Sequence, residues 1–275
     1  MSSCMPKTGE AAQTELRLTV LGTRGSMAVR ENGRSIFGGA TSCYMLQAGD
    51  DCVFLDAGSG LLDAPVHFST PPLILLTHLH LDHLLGLGMY RRLSLQGERT
   101  LIRLPAESDE EARERIDVLY SPPYWPVKLT QYQGDVNIKR AVFPMQHGKI
   151  RIEAIPGEHP GECVVLKASC GDKSLVYATD YEYEEKSFSA LTVFAQGVDL
   201  LLYDGQYSEE EALLRKGFGH SSAQKGIELM ERCGAKNMLL IHHDPQASDR
   251  ILLEREKQLA LKNVRYARAG EVITL

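Results

Sequence analysis

The 275-residue sequence predicts a single α/β domain. Three observations carry this prediction. Short runs rich in Val, Ile, Leu and Tyr recur from Leu16 to Leu275, helix start signals stand between several of them, and no Pro/Gly/Ser-rich linker, charge block or low-complexity stretch divides the chain.

The apolar runs place ten strands, over residues 16–22, 42–48, 52–57, 73–78, 101–106, 149–156, 163–168, 174–180, 199–205 and 237–243. Ser108 with Glu111, Ser208 with Glu211 and Ser221 with Gln224 each fit a capping box that opens a helix, and Gly234 reads as a stop. A last amphipathic helix is expected from about Asp249 to Lys262, with Asn263 as its terminator. Residues 1–15 read as a flexible N-terminal tail and 16–275 as the domain.

Composition narrows the class further. At 43% apolar and 24% charged residues the chain is of ordinary globular type, and a formal net charge of −6 supplies no basic field for a phosphate polymer. The six cysteines are scattered without a CxxC, so reduced thiols are expected rather than a disulfide framework. The polar start, MSSCMPKTGEAAQTE, lacks the apolar core of a signal peptide, and no later run is long enough to span a bilayer. A cytoplasmic location, with no membrane partner, is the expectation.

The chemistry is concentrated in THLHLDHLLGLGMY, where a buried strand is expected to pass into an apolar helix. His78, His80, Asp82 and His83 fall within six residues. In extended chain His78 and His80 point to one side, while Asp82 and His83 lie where the chain turns. Mixed imidazole and carboxylate ligands without a thiolate suit a catalytic zinc, manganese or iron centre rather than a structural zinc. A helix cap would not require so many ligand atoms. Three other apolar strands end near ligand-type side chains: His159, Asp180, and His242 or its neighbour His243. Two ions sharing one carboxylate require about seven ligands, which this set supplies.

These residues resemble the metallo-β-lactamase superfamily, whose HxHxDH motif is followed by later His, Asp and His ligands; the resemblance covers nearly the whole chain. It implies an αββα sandwich of two central mixed β-sheets flanked by helices. It also implies two divalent metal ions per chain, zinc or manganese, one on His78, His80 and His159 and the other on Asp82, His83 and His242, with Asp180 bridging. His242 occupies the family's ligand position, with His243 the competitor.

The stretch GHSSAQKGIELMERCGAKNMLLIHHDP resembles the segment that marks the superfamily's phosphodiesterase branch, which contains phosphoribosyl cyclic phosphodiesterases and RNase Z-type nucleases. The resemblance implies that His220, at a helix mouth, is catalytic; helix N-termini favour anions. Departures from the nuclease pattern are His-Asp-Pro after the last ligand region and the lack of a long basic insertion, so a large nucleic acid substrate is not expected. LGTRGSMAV, GGATSCYML, PPYWPV, YATDYEY and LLLYDGQYS resemble bacterial metallo-hydrolases of that kind.

The expected function is therefore hydrolysis of a phosphodiester, a small cyclic phosphate or cyclic nucleotide, by metal-bound hydroxide. Asp82 holds the nucleophile and His220 protonates the departing oxygen. A lactone or thioester hydrolase and a non-catalytic metal-bearing nucleotide sensor are the alternatives. Arg24 in GTRGS is a candidate phosphate contact or a turn residue, and Tyr124 with Trp125 in PPYWPV a base-stacking loop, a packed corner or a subunit contact. Asp204 is expected behind the metals, His67 and His147 are left as structural, and a homodimer is expected from the resemblance.

Overall fold

A computed structural model describes residues 15–30 and 32–275, so the expected N-terminal tail lies, but for Glu15, outside the described residues, as does Cys4. The first sheet is built mainly from the N-terminal half: β1 (Arg17–Gly22), β2 (Cys43–Ala48), β3 (Asp51–Leu55), β4 (Leu73–Leu75), β5 (Arg99–Leu104) and β6 (Asp135–Arg140). The second holds β7 (Met145–His147), β8 (Ile150–Pro156), β9 (Val164–Cys170), β10 (Lys173–Ala178), β11 (Leu200–Asp204), β12 (Asn237–Ile241) and β13 (Val264–Tyr266). The chain then returns to the first sheet as β14 (Val272–Thr274), giving the orders β14-β1-β2-β3-β4-β5-β6 and β13-β12-β11-β10-β9-β8-β7.

Both sheets are mixed in the same manner. β14 to β3 pair antiparallel and β3 to β6 parallel; β7 to β10 pair antiparallel and β10 to β13 parallel. Period-two alternation sends Leu18, Tyr44, Leu46, Val53 and Leu55 inward against Leu166, Leu175, Tyr177, Leu202 and Leu239, which forms the inter-sheet core. The other faces are covered by helices. Ala112 and Ile116 of α1 (Asp109–Leu119) pack with Met45, Phe54 and Ile102. Phe188 and Leu191 of α2 (Glu185–Phe194) join the second sheet's outer core. Leu229 of α4 (Ala223–Cys233) and Leu252 of α5 (Asp249–Leu259) complete it, while α3 (Glu209–Leu214) buries none of its residues. The αββα sandwich of two mixed sheets is thus present.

All ten expected strands form, with ends displaced by up to three residues. Four strands and one helix have no counterpart in the expectation. β6 buries only Ile138, β7, β13 and β14 are three residues each, and α2 starts at Glu184 without a side-chain cap, so none carries a strong periodic or start signal. The α5 helix ends at Leu259 rather than Lys262, because Ala260 adopts a left-handed conformation; Asn263 instead donates its amide to the Lys236 carbonyl. The cap of α4 is Ser222, which accepts from the Lys225 amide, not Ser221, whose hydroxyl is paired with Tyr203.

The motif segment also differs. No apolar α-helix follows β4; the chain makes 3-10 turns at Leu81–His83, Leu87–Met89 and Arg91–Ser94. Gly88 is required in this stretch, because a Cβ there would lie 2.4 Å from the Trp125 ring. Cys43, Cys52, Cys163, Cys170 and Cys233 are buried and form no disulfide, and no helix among the described residues is long and apolar enough to cross a membrane.

Candidate metal centre

β3, β4, β8, β10, β11 and β12 end on one rim of the sandwich, and the segments after their last residues carry the polar cluster. Strand ends are rigid supports, so six short excursions place side chains distant in sequence within a few ångströms. His78, His80, His159 and Asp180 offer one ligand atom each within 4.8 Å of one another, as do Asp82, His83 and His242. Asp180 spans the two groups with separate oxygens. Its Oδ1 lies 3.8 Å from His78 Nε2 and 3.7 Å from His159 Nε2, whereas Oδ2 lies 3.0 Å from His83 Nε2 and 3.2 Å from His242 Nε2.

Four of the five imidazoles in the two groups are oriented by a partner at the far side, while His80 faces His159 Nε2 through its Nδ1 at 2.9 Å. His83 Nδ1 donates to Asp56 Oδ2 at 2.8 Å, His242 Nδ1 to Gln206 Oε1 at 2.7 Å, and His159 Nδ1 to the Gly219 carbonyl at 2.9 Å. Thr77 donates its hydroxyl to Asp56, so its oxygen can accept from His78 Nδ1 at 3.0 Å. These bonds leave the Nε2 lone pairs turned toward the carboxylates, the usual arrangement for metal-ligating histidines. Gly219 is required at its place: a Cβ would stand 1.9 Å from His159 Nδ1, on a backbone with φ of 87°.

The cluster's charge asks for a cation. Burial opposes protonation of His83 and His242, yet the nearby carboxylates outweigh it, holding His83 well above its usual pKa and His242 at about 9. Burial would raise Asp82 and Asp180, but the surrounding histidines hold both below the ordinary carboxylate range. For His78 burial, with His83 beside it, lowers the pKa, and its Nε2 is buried without a hydrogen-bond partner. An orphaned lone pair facing nitrogen and oxygen donors fits a divalent ion, which would satisfy it without proton transfer.

Packing distinguishes the two neighbouring histidines after β12. His242 lies inside the cluster, 3.1 Å from Asp82 Oδ2, while His243 points away, donates to the Ala267 carbonyl at 2.8 Å and packs edge-on against Phe37 and Tyr266. Burial lowers the His243 pKa to about 3, so it is a neutral core residue. Four of the five non-glycine residues with positive φ among those described are Ser26, Asp56, Asp180 and His242. Each such residue costs about 1–3 kcal/mol. Here the hydrogen bonds of the cluster offset that cost.

His220 stands at the edge of the first group. Its Nδ1 donates to Asp204 Oδ2 at 2.9 Å, its ring stacks on His242 at 4.8 Å, and Asp180 Oδ1 is 3.8 Å away. Asp204 is fully buried and also accepts from the Gln206 amide. It therefore supports His220 from behind.

The remaining expectations divide. Arg24 is corrected: it is fully buried and donates to the carbonyls of Gly38, Asp244 and Ala247, so it ties loops together and cannot meet a phosphate. Trp125 is a packed corner, its indole donating to Tyr132 Oη at 2.8 Å and its ring meeting Tyr120 edge-on. Tyr124 is 72% exposed on that corner. Neither is drawn into the cluster. His67 is exposed beside Glu98, and His147 belongs to β7. Sequence reasoning missed Asp56, Thr77, Tyr177, Gln206 and the Ser26 amide, which donates to Asp82 Oδ2 at 2.7 Å. Asp56 was the findable one, since it ends an apolar strand as Asp180 does.

Fold and cluster together define a metallo-hydrolase class, and the chain belongs to the beta-lactamase superfamily, whose domain model matches residues 52–243. Its fold is that of the metallo-β-lactamase hydrolases. Among particular proteins, it is 23% identical over 237 residues to a ribonuclease Z of Ignicoccus hospitalis, covering 71% of this chain and 79% of that protein. The metallo-β-lactamase fold protein YhfI of Bacillus subtilis superposes with a TM-score of 0.71 at 20% identity, over 96% of this chain and all of that one. A diphosphatase from the PhnP family superposes with a TM-score of 0.69 at 20% identity, over 94% and 97% of the two chains.

Proposed function

We propose that this protein is a two-metal phosphodiesterase acting on a small phosphodiester, a cyclic phosphate or cyclic nucleotide. The observation that carries the reading is the Asp204–His220 pair beside the cluster. An alkoxide leaving phosphorus requires a proton, which this pair is placed to supply, whereas the thiolate leaving a thioester has less need of one. The ribonuclease Z and PhnP-family likenesses support the same chemistry.

His78, His80 and His159 would hold one divalent ion, zinc or manganese, and Asp82, His83 and His242 the other, with Asp180 shared. When bound, such ions lower the pKa of water and polarise a phosphoryl oxygen. The chain's residues do the rest. Asp82, whose Oδ2 is engaged by the Ser26 amide and His242, offers Oδ1 to position the attacking water. Asp204 fixes the tautomer of His220 by accepting from Nδ1, so Nε2 is the nitrogen that delivers a proton to the leaving oxygen.

The test uses bis(4-nitrophenyl) phosphate, a cyclic mononucleotide, a lactone and a thioester with zinc- and manganese-loaded protein. Turnover of the phosphodiesters is expected, and turnover of only the carboxyl derivatives would overturn the reading. His220→Ala is expected to keep its metal, measured by elemental analysis, and to lose roughly 10²–10⁴ in kcat on the cyclic nucleotide. Asp204→Asn is expected to fall in the same direction by less.

A further inference from the structure

A second feature adjoins His220. There the ring forms one wall of a cavity of about 340 Å3, the size of pockets that enclose small organic ligands. The opposite walls are Tyr183, which follows the Asp180 segment, and Ala212 and Leu213 of α3, with Ser222 and Lys225 at the start of α4 closing the end.

Three properties of this cavity are informative. First, Leu213 is 81% exposed on a helix with no buried residue, so its apolar side chain contributes nothing to the core. Second, Lys225 Nζ sits 3.8 Å from the Tyr183 ring centroid and also pairs with Glu228 at 2.8 Å, so its charge is already engaged by a ring face and a carboxylate. Third, the lining lysines, Lys216 and Lys225, are matched by the lining glutamates, Glu182 and Glu209. The cavity thus combines apolar walls with balanced charge, which suits an uncharged organic group better than a further phosphate.

Resting on the phosphodiesterase reading above, we propose that this cavity receives the substituent on the leaving oxygen and that it selects a compact, uncharged group with apolar or aromatic bulk, whether that group departs as an alcohol or stays tethered to the phosphate as in a cyclic diester. The stereochemistry of the step requires a pocket here. As the water oxygen bonds to phosphorus, the bond from phosphorus to the leaving oxygen breaks; that oxygen keeps the electron pair and takes the proton from His220 Nε2. The proton lost by the attacking water restores the balance. A leaving oxygen within reach of His220 must carry its carbon substituent to the His220 side, where this cavity stands.

The experiment compares two substrates with the same phosphoryl part, methyl 4-nitrophenyl phosphate and methyl 4-methylumbelliferyl phosphate, on metal-loaded full-length protein. The bicyclic leaving group is expected to be preferred. Ala212→Trp, which fills the cavity, and Leu213→Asp, which charges its exposed lip without touching the core, are expected to lower the bicyclic-to-monocyclic ratio of kcat/KM by roughly tenfold or more. A ratio unmoved in both variants, with metal content intact, overturns the pocket and leaves the phosphodiesterase reading standing. Hydrolysis by the wild type of neither substrate, nor of the cyclic mononucleotide, sinks that reading and the pocket with it.

Discussion

Asp56 shows how much of the centre is built by residues that would touch neither ion nor substrate. One fully buried carboxylate accepts from the Thr77 amide at 2.7 Å, the Thr77 hydroxyl, His83 Nδ1 and Tyr177 Oη at 2.9 Å. It therefore sets the facing of two histidines at once, His83 directly and His78 through Thr77. Removing such a partner typically costs about 10–100-fold in metal affinity. Asp56→Ala is expected to lose zinc affinity in that range, read by competition with a chromophoric chelator, while retaining its β-sheet circular dichroism. Gln206 plays the corresponding part for His242, and as a neutral amide it gave no sequence signal.

At the scale of elements, the start of α4 is where sequence pattern and structure part by a single residue. Ser221 and Ser222 are equivalent as cap candidates by type, but Ser221 is spent on Tyr203, and Ser222 accepts from the Lys225 amide. Ser222→Ala is expected to cost about 1 kcal/mol of unfolding free energy in urea at saturating metal, the usual worth of an N-cap. Legibility followed the same logic elsewhere. The HxHxDH ligands were readable because they are contiguous, and His159, Asp180 and the 242–243 pair because each follows an apolar strand. Between His242 and His243 the residues alone left the choice open and the family resemblance favoured His242, while packing decides which ring enters the cluster and which meets Phe37 and Tyr266. Short edge strands stayed hidden because three to six residues with at most two buried side chains carry no period, and α2 because it lacks a capping side chain. Arg24 reads as a turn cation in sequence, and only its three carbonyl acceptors reveal a tether.

For the whole molecule, the cluster concentrates carboxylates and imidazoles that fold into a buried field requiring positive charge. A ligand that binds only the folded state stabilises it by RT ln(1 + [L]/Kd), about 2.7 kcal/mol at a hundredfold excess over Kd. Treatment with a strong chelator is therefore expected to lower Tm, and graded return of zinc or manganese to raise it with a concentration dependence; a Tm indifferent to both would remove the ions from the account of stability.

The proposed ligands are divided between the sheets: His78, His80, Asp82 and His83 follow β4 of the first, whereas His159, Asp180 and His242 follow strands of the second. If these residues hold the ions as proposed, neither half alone would complete an ion's coordination. Metal capture would then act as a clock for assembly: a refolding chain with one sheet formed would hold ions only loosely, and tight uptake would mark the moment at which the two sheets dock.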